Sequence, residues 1–296
     1  MTEPPPRAGH SVTVATYNIH RCIGRGGSDP RRTLDVIAAL DADVIALQEV
    51  ETPAAPAPGG IALLRHLAAL GYEPVLGPTM RSHRHSYGNV LLSRLPVRRR
   101  RRVDLSQPGR EPRGLIDVRL DLGRPLRHGQ RPEPGPMLRR IMDQVGAALH
   151  EPRPARERPD VRRGAQLRCL ATHLGLGVGE RRAQIGEIAE RLDLAGSEAA
   201  ARLDWFSGAA GRLPLILLGD FNEWRPGGGR LRPIHARLEA VPVRRTWPAR
   251  WPLLALDRIW YRGGLRLTEL EVVRTPAARA ASDHLPLRAQ LWLPNV

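Results

Sequence analysis

The stretch from Pro214 to Trp224, PLILLGDFNEW, constrains the fold more than any other part of the chain. Leu215 to Leu218 form an apolar run that suits a strand covered on both faces, and Gly219 removes the side chain where the chain must leave the sheet. Asp220 and Asn222 follow. In strand geometry residues two apart point the same way, so a carboxylate and a carboxamide would face one volume at the end of the strand. Asp-Phe-Asn is also ordinary turn chemistry. The pair acquires functional meaning only if other strands end in the same manner.

Several do. Ser11 to Tyr17 alternates as a strand ending at Asn18, with His20 on the same side. Asp29-Pro30 reads as an N-cap followed by proline at the first helical position, opening a helix to Leu40. Val44 to Leu47 is a buried strand ended by Gln48 and Glu49. Ile61 to Leu70 reads as a helix stopped by Gly71, Tyr72 to Leu76 as an edge strand, and Gly77 to Ser86 as a polar loop with His83 and His85 on its rim. Gly88 to Ser93 is a strand that would turn Asn89 toward the common volume. The arginine run Arg98 to Arg102 marks a solvated edge strand whose charges discourage pairing, and Arg113 to Leu122 alternates as the next strand. Gln166 to Thr172 ends at His173, and Glu180 to Leu194 is helical. Pro233 to Ala240 reads as a short helix, and Leu254 to Tyr261 sets Asp257 among apolar neighbours. Leu265 to Val273 is a strand, and Ser282-Asp283-His284 precedes the last one, Leu285 to Leu293.

Composition limits the partners. The chain of 296 residues is 42% hydrophobic and 4% aromatic, which describes an aliphatic core. It lacks the roughly 18 consecutive apolar residues of a membrane span and an apolar leader, so a cytoplasmic, monomeric protein is expected. Cys22 and Cys169 form neither a zinc motif nor a disulfide framework. The net charge of +16 comes from arginine alone, with no lysine, a pattern of codon bias. Whatever its origin, such a field concentrates polyanions or anionic membrane surfaces. Residues 1–10 are a Pro-rich tail, and 11–296 read as a single domain interrupted by an Arg/Pro-rich insertion at about 123–164. Within it, Met137 to Leu149 has helical apolar spacing and would dock on its own domain or lie on a membrane surface.

The polar strand ends form a set: Asn18, Glu49, His173, Asp220, Asn222, Asp257, Asp283 and His284. Carboxylates without cysteines suit a hard ion such as Mg²⁺, with Mn²⁺ as the alternative. Imidazole and amide groups beside them suit a phosphoryl oxyanion. A neutral imidazole near pH 7 can take a proton, and the pairing of Asp257 with His284 would fix which nitrogen does so.

The segments TYNIH (16–20), ALQEV (46–50), GNVLLSR (88–94), ATHL (171–174), LLGDFN (217–222), LDRIW (256–260) and SDHLPL (282–287) together resemble the endonuclease/exonuclease/phosphatase superfamily related to pancreatic DNase I. The resemblance spans residues 12–293 apart from the insertion. It implies an α+β fold, a four-layer αββα sandwich of two mostly antiparallel sheets, and divalent-metal-dependent hydrolysis of phosphodiester or phosphomonoester bonds. By similarity Glu49, Asn18 and Asp283 would hold the metal. Asp220 would orient or deprotonate the attacking water, Asn222 and His173 would face the phosphate, and His284 would be the catalytic imidazole held by Asp257. His20 and His173 stand where abasic-site nucleases carry Asp and Tyr, which argues against that subgroup, and Ala255 to Arg258 keeps only half of the inositol-phosphatase signature. The nearest resemblance is to an uncharacterised bacterial subgroup that is also similar to the sphingomyelinase branch. Nucleic acid and phospholipid therefore both stand as expected substrates, the latter with peripheral contact to anionic membrane. The alternative is a non-catalytic anion-binding module, which has no need of the whole set.

Overall fold

The computed structural model describes residues 9–53, 60–82, 85–123, 165–194, 213–225 and 229–294. In chain order the first half holds β1 (Gly9–Asn18), β2 (Ile23–Gly24), β3 (Gly27–Ser28), α1 (Pro30–Leu40), β4 (Val44–Pro53), α2 (Gly60–Ala69), β5 (Glu73–Arg81), β6 (His85–Ser93), β7 (Val97–Asp104) and β8 (Gly114–Asp121). The second half holds β9 (Gln166–His173), α3 (Val178–Leu194), β10 (Leu215–Asp220), α4 (Arg232–His235), β11 (Glu239–Ala240), β12 (Asp257–Arg262), β13 (Arg266–Val272), α5 (Pro276–Ala281) and β14 (Leu287–Pro294). The amphipathic helix expected at Met137 to Leu149 lies outside the described residues, as does His83.

Two six-stranded sheets, ordered β13-β14-β1-β4-β6-β5 and β11-β12-β10-β9-β8-β7, form the centre. Among the described residues, only β1–β4 and β9–β10 pair in parallel; the other neighbours are antiparallel. Strand periodicity explains the layering. Along β1, Val12 and Val14 enter an inter-sheet core with Ile116, Val118, Ile216 and Leu218 of the second sheet. Ala15 and Tyr17 point the other way, onto Leu34, Ile37 and Leu40 of α1. On the far side Leu215, Leu217 and Trp260 pack against Ile185, Ile188 and Leu192 of α3. The result is the expected αββα sandwich. Each fully buried Leu, Ile or Val contributes roughly 1.5–3 kcal/mol relative to exposure, and strands covered on both faces must be apolar at nearly every position. That requirement is why β10 reads LILLG.

The helix start at Asp29 is as the sequence predicts: its Oδ1 accepts from the backbone N–H of Arg31 (3.1 Å) and Arg32 (3.3 Å), with Pro30 in the first turn. Other expectations change. Val44 to Leu47 does not stop at Glu49; β4 continues to Pro53 through a bulge between Leu47 and Val50, with Glu49 at φ +57°. Gly77 to Arg81 and His85 belong to β5 and β6 rather than to a polar loop: Gly77 to Arg81 pair with Ser86 to Asn89, and His85 stands opposite Pro53 of β4. Pro276 to Ala281, not foreseen, is a short helix capped by the Thr275 side chain. Among the described residues no helix is long and apolar enough to cross a membrane.

Gly219 has φ +151° and lies opposite Thr172 of β9, where an added Cβ would sit 2.0 Å from the Thr172 carbonyl oxygen. Gly219→Ala must therefore push apart the parallel strands that carry His173 and Asp220. We expect a loss of about 1–3 kcal/mol, read as a lowered denaturant midpoint; an unchanged midpoint would contradict this packing.

Candidate active site

The parallel pairs bring the C-terminal ends of β1 and β4, and of β9 and β10, to one rim. β12 runs antiparallel to β10, so its first residue, Asp257, stands opposite Asp220, the last of β10. His284 enters from the loop before β14. Side-chain contacts join the two sheets at this rim: Asn18 Nδ2 donates to Glu49 Oε1 at 2.9 Å and to Asp220 Oδ2 at 3.2 Å. Its Oδ1 accepts from the His20 backbone N–H. The amide thus ties Glu49 to Asp220 across the sandwich.

Around Asp220 the second sheet supplies the remaining groups. Oδ2 lies 3.6 Å from His173 Nε2 and 3.7 Å from His284 Nε2. Oδ1 accepts from the Asn222 backbone N–H at 3.0 Å, an Asx turn that holds Asn222 at φ +50°. Asn222 therefore does not reach the site by strand alternation: the turn brings it there, with buried Phe221 packed edge-on against Trp260. The Asn222 amide donates to Leu174 O at 2.8 Å and to His173 Nε2 at 3.1 Å. Accepting there keeps His173 Nε2 unprotonated. Its pKa is lowered to about 4, chiefly by burial, with Asp220 opposing and Arg113 and His284 adding to the shift.

His284 behaves oppositely. Nδ1 contacts Asp257 Oδ2 at 2.9 Å. Burial pushes its pKa down, but the carboxylates of Asp257, Asp220 and Asp283 overcome this and raise it to about 10. The sequence leads one to expect a neutral imidazole here; the flanking carboxylates instead favour the protonated ring, which donates from Nδ1 to Asp257 Oδ2, with Nε2 3.7 Å from Asp220 Oδ2. Asp283 itself is exposed; its Oδ2 accepts from Trp247 Nε1 at 3.1 Å, and Ser282 Oγ links this loop to Asn18 O at 2.7 Å.

Seven of the eight expected residues thus share one contact network, and Asp283 joins it through Ser282. Asn89 does not: its amide is spent on Gly114 O at 3.2 Å. His85 sits on the surface beside Glu51. The sequence reading missed Tyr87, whose hydroxyl abuts Glu49 and whose pKa burial and that charge drive upward. It also missed Trp247 and the buried Glu223, which meets Arg230 at 3.2 Å and Arg181 at 3.5 Å. Only Glu223 had a signal, its place directly after Asn222. Two surface concavities, of ≈ 810 and ≈ 460 Å³, lie along α3 and beside β5, β7 and β8, and neither is lined by the polar network. Chemistry rather than cavity size marks the site.

Asp220, Asp257 and His284 offer donor atoms within 4.8 Å of one another. The His284–Asp257 hydrogen bond already engages two of these three residues, and all three are buried. A hydrated hard cation fits better at Glu49, which is half-buried, oxygen-donating and backed by the Asn18 amide.

An αββα sandwich with carboxylates, amides and imidazoles gathered at one rim defines a DNase I-like class of protein. The chain belongs to the Endonuclease/Exonuclease/phosphatase family, whose model matches residues 15–284. The family is hydrolytic. The chain is 25% identical to "Uncharacterized protein YbhP" of Escherichia coli (strain K12), covering 96% of this chain and 97% of that protein. Similar solved structures include an endonuclease/exonuclease/phosphatase from Beutenbergia cavernae (TM-score 0.63, 21% identity, 97% of this chain and 72% of that one). The human Nocturnin catalytic domain with bound sulfate anion (0.60, 19%, 95% and 94%) and D. rerio TDP2 complexed with single strand DNA product (0.60, 14%, 95% and 98%) share the fold.

Proposed function

We propose that the protein is a divalent-metal-dependent phosphodiesterase in which an activated water attacks phosphorus in line with the leaving oxygen. The observation that carries this reading is the Asp257–His284 pair facing Asp220, itself tied through Asn18 to Glu49. A pure anion binder needs no such relay.

Glu49 and Asp283 would hold the cation, with the Asn18 amide fixing the Glu49 carboxylate between the sheets. When bound, a Mg²⁺-like ion neutralises the nonbridging oxygens that would repel a nucleophile. Asp220 Oδ2, within reach of Asn18 and both histidines, orients the water and takes its proton as the P–O bond forms. The His284 imidazolium, steadied at Nδ1 by Asp257, gives its Nε2 proton to the departing oxygen as the second P–O bond breaks. The 3.7 Å separation of Asp220 and His284 lets the proton return and reset the site. His173 and Asn222 stay neutral and position the phosphoryl group.

The test is Mg²⁺-dependent hydrolysis of bis-p-nitrophenyl phosphate, plasmid DNA, RNA and phospholipid vesicles side by side. Turnover of any diester supports the proposal; inertness toward all of them opposes it. Glu49→Gln keeps the shape and removes a charge, so the Mg²⁺ concentration giving half-maximal rate should rise about tenfold or more, the scale of one lost charged contact. An unchanged Mg²⁺ requirement would move the cation away from Glu49.

A further inference from the structure

Among the described residues, most of the large apolar side chains that stand well exposed lie in segments next to the polar rim. Leu176 is 73% exposed, Trp251 71% and Leu253 64%, with Val178, Trp224 and Val243 also open to solvent. Each sits in a segment that leaves the polar rim. Leu176 and Val178 follow His173 at the end of β9, and Trp224 follows Asn222 after β10. Val243, Trp251 and Leu253 belong to the 241–256 loop that delivers Asp257. That loop is docked on the rim: Trp247 donates to Asp283 Oδ2, and Ala249 N–H donates to the Asp283 carbonyl. Its other backbone bonds, from Thr246 and Trp247 to Leu254, close a turn that packs on the body through buried Ala249 and the Arg279 guanidinium, leaving Trp251 and Leu253 exposed on its outer side.

Scattered exposed apolar residues need no explanation, but a set carried on several segments that leave one rim marks an interaction surface. The charges among them choose the partner. Arg225, Arg244, Arg245 and Arg250 are exposed in these same segments, and residues 241–256 contain no acidic residue. Exposed tryptophan and leucine with exposed arginines in the same segments match the boundary between acyl chains and anionic headgroups. Single-stranded nucleic acid fits less well, because Leu176, Leu253, Val178 and Val243 have no π face on which a base can stack.

We infer that this rim docks on anionic phospholipid surfaces, inserting Trp251 and Leu253 so that the site faces phosphodiesters held at the interface. The inference rests on the phosphodiesterase reading for its substrate but not for its docking. It requires nothing of residues 124–164.

The experiment compares wild type with Trp251→Ser/Leu253→Ser, whose side chains are too exposed to hold the fold together. Co-sedimentation is measured with vesicles of equimolar phosphatidylglycerol and phosphatidylcholine and with phosphatidylcholine alone, and hydrolysis of bis-p-nitrophenyl phosphate is followed in parallel. Wild type should bind the anionic vesicles more tightly, and the double variant should lose about tenfold or more of that affinity, with soluble-diester turnover unchanged. No vesicle binding by wild type, or equal binding by the variant, would overturn the inference. So would tighter wild-type binding to a single-stranded oligonucleotide that the same substitutions abolish, since the rim would then be a nucleic-acid surface. Failure of the wild type to cleave the soluble diester counts against the hydrolase reading alone, and the vesicle measurement still decides the docking.

Discussion

Replacing His284 by alanine is expected to lower the rate of diester hydrolysis by at least about 10²-fold, the scale of one lost acid-base group. The side chain is buried and bonded to Asp257, so removing it also takes the imidazole from a buried carboxylate and lowers stability, and the rate is compared on protein that is still folded. Asp220→Asn should cost a similar factor by another route. The amide keeps the volume and can still accept from the Asn222 N–H, but it cannot take a proton from water. Steady-state turnover with circular dichroism separates loss of chemistry from loss of fold. Near-normal turnover by either folded variant would remove that residue from the reacting centre.

The second large effect lies away from the site. Arg168 of β9 and Asp117 of β8 are buried together between antiparallel neighbours, with Nε–Oδ1 at 2.9 Å and Nη2–Oδ2 at 2.6 Å. Bidentate geometry offsets part of the desolvation of both charges, but removing the guanidinium leaves the Asp117 carboxylate in a low-dielectric interior without it. Arg168→Leu should therefore destabilise the protein by roughly 3–5 kcal/mol, with a melting temperature lower by several degrees or more. Replacing both residues by apolar ones of similar volume should cost much less. Thermal unfolding of the single and double variants checks this, and a single variant as stable as wild type would mean that water or another group already solvates the carboxylate.

These two predictions also mark what the sequence could and could not convey. Strand ends at Asn18, His173, Asp220 and Asp257 were legible because a run buried on both faces must be apolar, so a polar residue at its end stands out. Motif order then supplied the αββα arrangement. Glu49 reaches the rim through a different local structure from the one its sequence suggests: a bulge, not a strand end, turns it there, and the residues QEV carry no glycine to announce a positive φ. Asn222 was grouped with Asp220 for a reason that did not hold, since an Asx turn rather than alternation aims it. The strand position of Asn89 suggests that it faces the common volume, whereas a carbonyl on the facing sheet, Gly114 O, claims its amide. The Arg168–Asp117 pair and the Tyr87–Glu49 contact join strands far apart in the chain, and no local pattern encodes them. The charge state of His284 is likewise collective, set by three carboxylates that only the fold assembles.

The central claim, a cation-assisted diester hydrolysis at this rim, is tested most directly by following bis-p-nitrophenyl phosphate cleavage by the wild-type protein while Mg²⁺ is removed with EDTA and then returned in excess. The account predicts that turnover ceases on exhaustive chelation and recovers when Mg²⁺ is restored. Turnover that continues undiminished in EDTA would contradict it.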